Sequence, residues 1–170
     1  CRKRDDIHFI GPEEILDEWA PASTREKHRK VGGQPFRWRV KFQYDSWNGR
    51  KSIEPDQMFG LRFPDEDRSP NWFFLEADRT TMPVKSANLN RSSIFKKLLQ
   101  YFQSWDSESE SNRFEEQFGV QNVRVLFVLS TGYEGEKRLQ RCLQVNKHFF
   151  DGDGTGLFLF VKAETLLESD

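Results

Sequence analysis

Apolar and polar residues alternate most cleanly from Phe36 to Tyr44, with Phe36, Trp38, Val40, Phe42 and Tyr44 on one side and Arg37, Arg39, Lys41 and Gln43 on the other. Side chains alternate across a strand, so this pattern predicts a strand with one core face and one basic face. Such basic residues either guard an edge against pairing or meet phosphate. Two further apolar runs, 52–63 and 72–78, flank a polar tract from Pro64 to Asn71 and read as an antiparallel hairpin. A turn over Asp45 to Lys51, with Asn48-Gly49 inside it, joins them to the first strand, which makes three consecutive antiparallel strands.

The 3.6-residue pattern places the helices. Gly11-Pro12-Glu13-Glu14 opens the first, with Ile15, Leu16 and Trp19 as its apolar face and Pro21 as its stop. Residues 21–35 read as a basic loop, in which Arg25, Lys27, His28, Arg29 and Lys30 precede Gly32-Gly33. Ser92 or Ser93 caps a second helix running to about Trp105; its arc puts Lys96 among polar residues and Lys97 at the apolar edge, one turn before Tyr101. Asp106 to Gln117 reads as a solvated extension. Val123 to Leu129 predicts a buried strand reached by a helical crossover, followed by a helix from about Gly135 to Phe149 and a last strand at Leu157 to Val161. The expected class is α/β, a mixed sheet flanked by helices in the order αβββαβαβ.

Three acids interrupt this pattern. Folding the hairpin about its polar tract sets Asp56 opposite residues 76–80, while Phe74, Glu76 and Asp78 share a face. Acids are disfavoured in strands and repel one another when gathered. Either a divalent cation sits between Asp56, Glu76 and Asp78, or the acids are solvated or paired with Arg79 and nearby lysines.

Composition narrows the partners. The 170 residues carry a net charge of −1, so nucleic-acid binding has to come from a local patch rather than a global basic field. No apolar run has the length of a membrane span and no signal-peptide pattern opens the chain, which reads as a cytoplasmic protein with no membrane partner. Cys1 and Cys142 are the two cysteines; Cys142 faces inward on its helix, and no Cys/His cluster has zinc spacing. A chain beginning with Cys is expected to be a piece of a longer protein. Asp151-Gly152-Asp153-Gly154-Thr155-Gly156 begins like a calcium loop, but Lys162 stands where a bidentate Glu belongs, so it reads as a turn. No nucleophile elbow supports a Ser-His-Asp hydrolase, and His8, His28 and His148 have no recognisable partner.

Ile53-Glu54-Pro55-Asp56, then Phe73-Phe74-Leu75-Glu76-Ala77-Asp78-Arg79, then Lys97-Leu98-Leu99-Gln100-Tyr101 resembles the replication-relaxation family within the PD-(D/E)xK nuclease superfamily. The resemblance spans residues 36–162 and implies a restriction-endonuclease-like fold. It also implies a role in plasmid or mobile-element replication and DNA relaxation, with DNA and replication or mobilisation proteins as partners. Residues 1–35 would then lead in from an upstream winged-helix segment, and 36–170 would form the nuclease-like core. By position, Asp56 and Glu76 would hold Mg²⁺ or Mn²⁺ for phosphodiester hydrolysis, and Asp78 would extend that shell where many members carry a lysine. Lys97 would supply the missing positive charge, with Glu18 as a weaker fourth acid. Arg37, Arg39 and Lys41 are the expected DNA contacts. The alternative is an inactive nuclease-fold module that binds DNA or protein.

Overall fold

In the computed structural model, which describes residues 6–44, 47–64, 69–78, 82–86, 88, 91–105, 113–149 and 156–167, the apolar run over 52–63 is cut at Glu54-Pro55-Asp56. Proline has no N–H to give a ladder, so a strand stops there and another begins. The piece before it pairs backwards and the piece after it pairs forwards.

The chain starts with strand β1 (His8–Ile10), then helix α1 (Pro12–Glu14), which runs on into a π-helical turn at Ile15–Trp19, and helix α2 (Ala22–Arg29). Strands β2 (Trp38–Tyr44) and β3 (Trp47–Ile53) form a two-stranded antiparallel sheet of their own. Strands β4 (Gln57–Arg62) and β5 (Asn71–Ala77) follow, then helices α3 (Ile94–Trp105) and α4 (Arg113–Phe118), strand β6 (Val123–Leu129), helix α5 (Gly132–Phe149), strand β7 (Phe158–Lys162) and helix α6 (Ala163–Leu167). The main sheet is mixed, in the order β1-β4-β5-β6-β7, with β1, β4 and β5 antiparallel and β5, β6 and β7 parallel. Among the described residues, no helix is long and apolar enough to cross a membrane.

Several expectations need correction. The three consecutive antiparallel strands are realised only for the β4–β5 hairpin, because Pro55 sends β3 to β2 instead. The pair Tyr44↔Trp47 closes the β2–β3 hairpin, so Asn48 and Gly49 lie within β3 and not at its turn. The supposed basic loop contains α2, whose only buried residue is Thr24, so no apolar stripe announces it. The extension read as solvated ends in α4, which buries Phe114 and Phe118 in the core. Residues 1–35 contribute β1 to the main sheet and Ile10 and Ile15 to the shared core. The charged start at 1–5, Arg79, the run 106–112 and the loop 151–155 lie outside the described residues.

Alternation decides which face holds the core. Along β5, Trp72, Phe74 and Glu76 are buried while Phe73 and Leu75 are half-buried, and β6 repeats this with Val125 and Phe127 against Leu126 and Val128. Against the buried face α3 sets Ile94, Leu98 and Tyr101. Trp38 of β2 joins the two sheets: its ring packs on Phe74, Tyr101, Phe114 and Phe118, with centroids 5.2 to 5.9 Å apart, and its Nε1 donates to Ser104 Oγ at 3.0 Å. That contact holds β2–β3 beside α3, the two walls of the site described below. Cys142 is fully buried, and burial pushes its thiol up to about 12, as an inert core position should.

Gly60 lets β4 lie close to the Trp72 ring, since a Cβ there would stand 2.6 Å from Trp72 Cζ3. Gly60→Ala is predicted to overpack this contact and lower stability by about 1–3 kcal/mol. Urea unfolding would measure it, and a variant as stable as the parent would show that the ring has room to move.

Candidate functional site

The hairpin register brings two of the three acids together. Gln57 pairs with Leu75 and Asp56 N donates to Leu75 O at 3.0 Å, so Asp56 enters β4 opposite the Glu76 end of β5. Its Oδ2 accepts from Ala77 N at 2.7 Å. Glu76 points into the core beside Phe74 and is only 2% exposed. A carboxylate in that position needs partners, and α3 provides both. Lys97 Nζ donates to Glu76 Oε2, and Tyr101 OH donates to Oε1 at 2.7 Å. The two donors are one helical turn apart on the same face of α3.

Burial dominates the titration of Glu76 and raises its carboxyl above the ordinary 4.5. The Lys97 ammonium and the Tyr101 hydroxyl work against that rise, and the nearby Asp56 charge adds to it. Full burial, with Glu76 alongside, also pushes the Tyr101 hydroxyl well above 10, so it remains a donor.

Asp78 is held apart from this group. Arg138 of α5 grips it bidentately, through Nε to Oδ2 and through a terminal nitrogen to Oδ1 at 2.8 Å, and the same nitrogen reaches Met82 O. Both partners are largely buried, and Asp78 N extends the ladder by donating to Val128 O at 2.9 Å. Asp78 thus ties the end of β5 to α5. Glu18 is exposed on the π-helical turn.

This donor set does not fit a divalent cation as arranged. Both oxygens of Glu76 accept, from Lys97 and Tyr101, and both of Asp78 accept from Arg138, so donors of the chain itself engage the oxygens a metal would need. Among the described residues, no group of three His, Cys, Asp or Glu side chains could hold a metal ion.

What adjoins the acids is basic. A cavity of about 480 Å³ opens between β3 and α3, lined by Arg37, Lys51, Lys96 and Lys97 against Glu54 and Glu76. A second, of about 490 Å³, shares Arg37 and Ser52 with it and adds Lys27, Lys30 and Arg39. The two adjoin at these shared residues as a basic groove in two parts. Its cations crowd each other: burial and Arg37 lower the Lys27 ammonium, while burial and Lys51 lower that of Lys96. Lys96 was expected in solvent, yet it is 7% exposed, because β3 closes over that side of α3. Of the three residues expected to contact DNA, Arg37 and Arg39 line the second cavity, while the side chain of Lys41 lies outside the described residues.

Sequence reasoning missed Arg138, Lys51, Lys96 and the site role of Tyr101. The Lys97/Tyr101 spacing with a buried acid nearby could have flagged Tyr101. Arg138 stands 60 positions from Asp78 with no local signal.

Because the folded domain binds the Glu76 proton more tightly than the unfolded chain does, the stability this group contributes is full below pH about 4.5 and is lost as pH rises through the raised value. Lys97→Met removes the main opposing charge and is predicted to cost about 3–5 kcal/mol at neutral pH, by stranding a buried carboxylate. The deficit should shrink as Glu76 protonates toward pH about 4. Glu76→Gln should cost less, since Lys97, 32% exposed, can turn to water. Urea melts at both pH values would measure these; equal, pH-independent losses would contradict the buried pair.

Comparison of the chain with family models, with curated proteins and with solved structures returns no match, so the site is known by its own residues alone.

Proposed function

We propose that this domain is a DNA-binding module on a nuclease-like frame, serving a plasmid or mobile-element replication protein in the cytoplasm, alongside replication or mobilisation proteins. One observation carries the reading: a chain of net charge −1 sets seven cations, Lys27, Lys30, Arg37, Arg39, Lys51, Lys96 and Lys97, around two adjoining cavities in which Glu54 and Glu76 are the acids among the described lining residues. Crowded cations repel, and a phosphodiester backbone relieves that repulsion along its length. The frame supports it too. An antiparallel hairpin, a helix and a strand parallel to the hairpin's second strand, as in β4, β5, α3 and β6, is the order a restriction-endonuclease-like core requires. Of the motif positions of the replication-relaxation pattern, Glu76 and Lys97 line the cavity between β3 and α3, and the charge of Asp56 is felt at Glu76.

Mg²⁺- or Mn²⁺-dependent hydrolysis is the second reading, favoured by the closeness of Asp56 to Glu76, whose charges feel each other. It requires Lys97 to leave Glu76. In the DNA-binding reading the acids are structural: Glu76 anchors Lys97 at the groove and Asp78 anchors α5.

Fluorescence anisotropy with a short labelled duplex would test this. Log affinity should fall linearly with log salt, by about 0.9 per phosphate contacted. Arg37→Gln and Lys51→Gln should each weaken unrelated sequences alike and reduce that slope by about 1. Absence of binding, or binding indifferent to salt, would contradict the groove. Supercoiled plasmid incubated with manganese should stay intact; nicking that Asp56→Asn abolishes would favour hydrolysis instead.

A further inference from the structure

The five-stranded sheet has two faces, and one of them carries the core. Met58, Phe74 and Val125 point to the side where α3, α4 and α5 place Leu98, Phe114 and Cys142, all in one buried cluster. Strand positions alternate between faces, so the residues between these look the other way. Phe59, Phe73, Leu75, Leu126 and Leu159 are half-buried, Phe9 is 58% exposed, and none of the six belongs to a buried cluster. Phe9, Phe59 and Phe73 stack in a row across β1, β4 and β5, with ring centroids 5.6 and 5.0 Å apart. Leu75, Leu126 and Leu159 continue the face in register across β5, β6 and β7.

A sheet face open to water is ordinarily polar, whereas this one is apolar. Among the described strand residues its polar positions are Gln57, Asn71 and Arg124, near the strand ends, and Arg124 is its charge. Five strands about 4.8 Å apart and about five residues deep give a footprint on the order of 400 Å², the size of patch that marks an interaction site. Two such faces, with the relief of their side chains, bury on the order of 1,000 Å², the lower bound for a specific interface.

Charge selects the occupant. A strongly charged partner would find only Arg124 to answer it, and a patch of one sign would repel its own image, but a nearly neutral apolar face can meet itself. Twisted sheets pack aligned and face to face, with the side chains of the two inner faces interdigitating. Phe59, Phe73 and Arg124 stand at one level of the sheet. A two-fold axis in the interface and along β5 lays β4 of one copy over β6 of the other, so Phe73 meets its image and Arg124 meets a Phe59 ring rather than another arginine.

We propose that this apolar face pairs with the same face of a second copy of the chain, in a reversible two-fold dimer. Helix α3 packs on the opposite face, so the basic groove of each copy stays open in the dimer. The pairing stands independently of what that groove binds.

Sedimentation velocity from about 1 to about 200 µM tests it, the range in which an interface at the lower size limit associates. The parent should pass from monomer to dimer and stop there. Phe73→Lys sets an ammonium against its own image and should stay monomeric throughout, an association weakened at least about tenfold. Its circular dichroism should match the parent's, because Phe73 lies outside the core clusters. If that variant does not fold, Phe9→Lys, at a position already more than half exposed, should weaken the dimer in its place. Arg37→Gln, in the groove, should dimerise as the parent does. A parent that is monomeric at every concentration would overturn the proposal, as would a dimer that both face variants leave intact. Assembly that grows past the dimer with concentration would overturn the closed two-fold pairing. A monomeric parent that floats with phosphatidylcholine vesicles, an ability lost in Phe73→Lys, would assign the face to a lipid surface and overturn self-pairing.

Discussion

The buried carboxylate of Glu76 is the constraint around which the rest is arranged. It sits on the core face of β5, almost wholly buried, and α3 answers with Lys97 and Tyr101 on a single helical face. Because those two donors must meet one carboxylate, they fix the rotation of α3 about its axis. That rotation turns Lys96 toward β3 and makes one wall of the groove. Trp38 fixes the other wall, since its ring is wedged among Phe74, Tyr101 and Phe114 and its indole N–H is tied to Ser104. The acid that looks catalytic in the sequence is held by two side chains of α3, and in holding it they are themselves positioned. Replacing a buried pair by apolar residues is often neutral for stability, so retaining one speaks for positioning rather than for strength.

The second acid pair does similar work at the far end of β5. Asp78 and Arg138 join the sheet to α5, and the reach of Arg138 to Met82 O fastens the chain as it leaves the strand. Glu76 and Asp78 are paired inside the fold, and Arg37, Lys51 and Lys96 line the cavity beside Lys97, so a chain of net charge −1 gathers cations on this side of α3.

Much of this was legible in the residues. The β4–β5 hairpin, α3, β6, α5 and β7 follow from strong periodicity and from the turn residues between them, and the placement of Lys97 over Lys96 toward the acid follows from the α3 arc. Three things were not legible, each for a physical reason. Pro55 was read as part of a metal motif when its missing N–H was the stronger signal, so one strand was seen where there are two. The polar helix α2 and the short α4 owe their existence to tertiary contacts, such as Thr24 Oγ1 to Gln117 O at 2.6 Å, which no local pattern encodes. The partner of Asp78, Arg138, comes from a segment 60 positions away, so no local pattern announced it, whereas Lys97 was legible from its place on α3.

The claim that the chain's own cations complete the acidic hairpin is tested most directly by thermal melts of the parent and of Asp56→Asn, with and without manganese at fixed ionic strength. If Lys97 occupies the position of a metal, manganese should leave both melts unchanged, and the variant should melt lower because its weaker acceptor no longer holds Ala77 N as a carboxylate does. A parent stabilised by manganese, by about 2.7 kcal/mol at a hundredfold excess over the dissociation constant, with Asp56→Asn unresponsive, would contradict it and restore a metal to the hairpin.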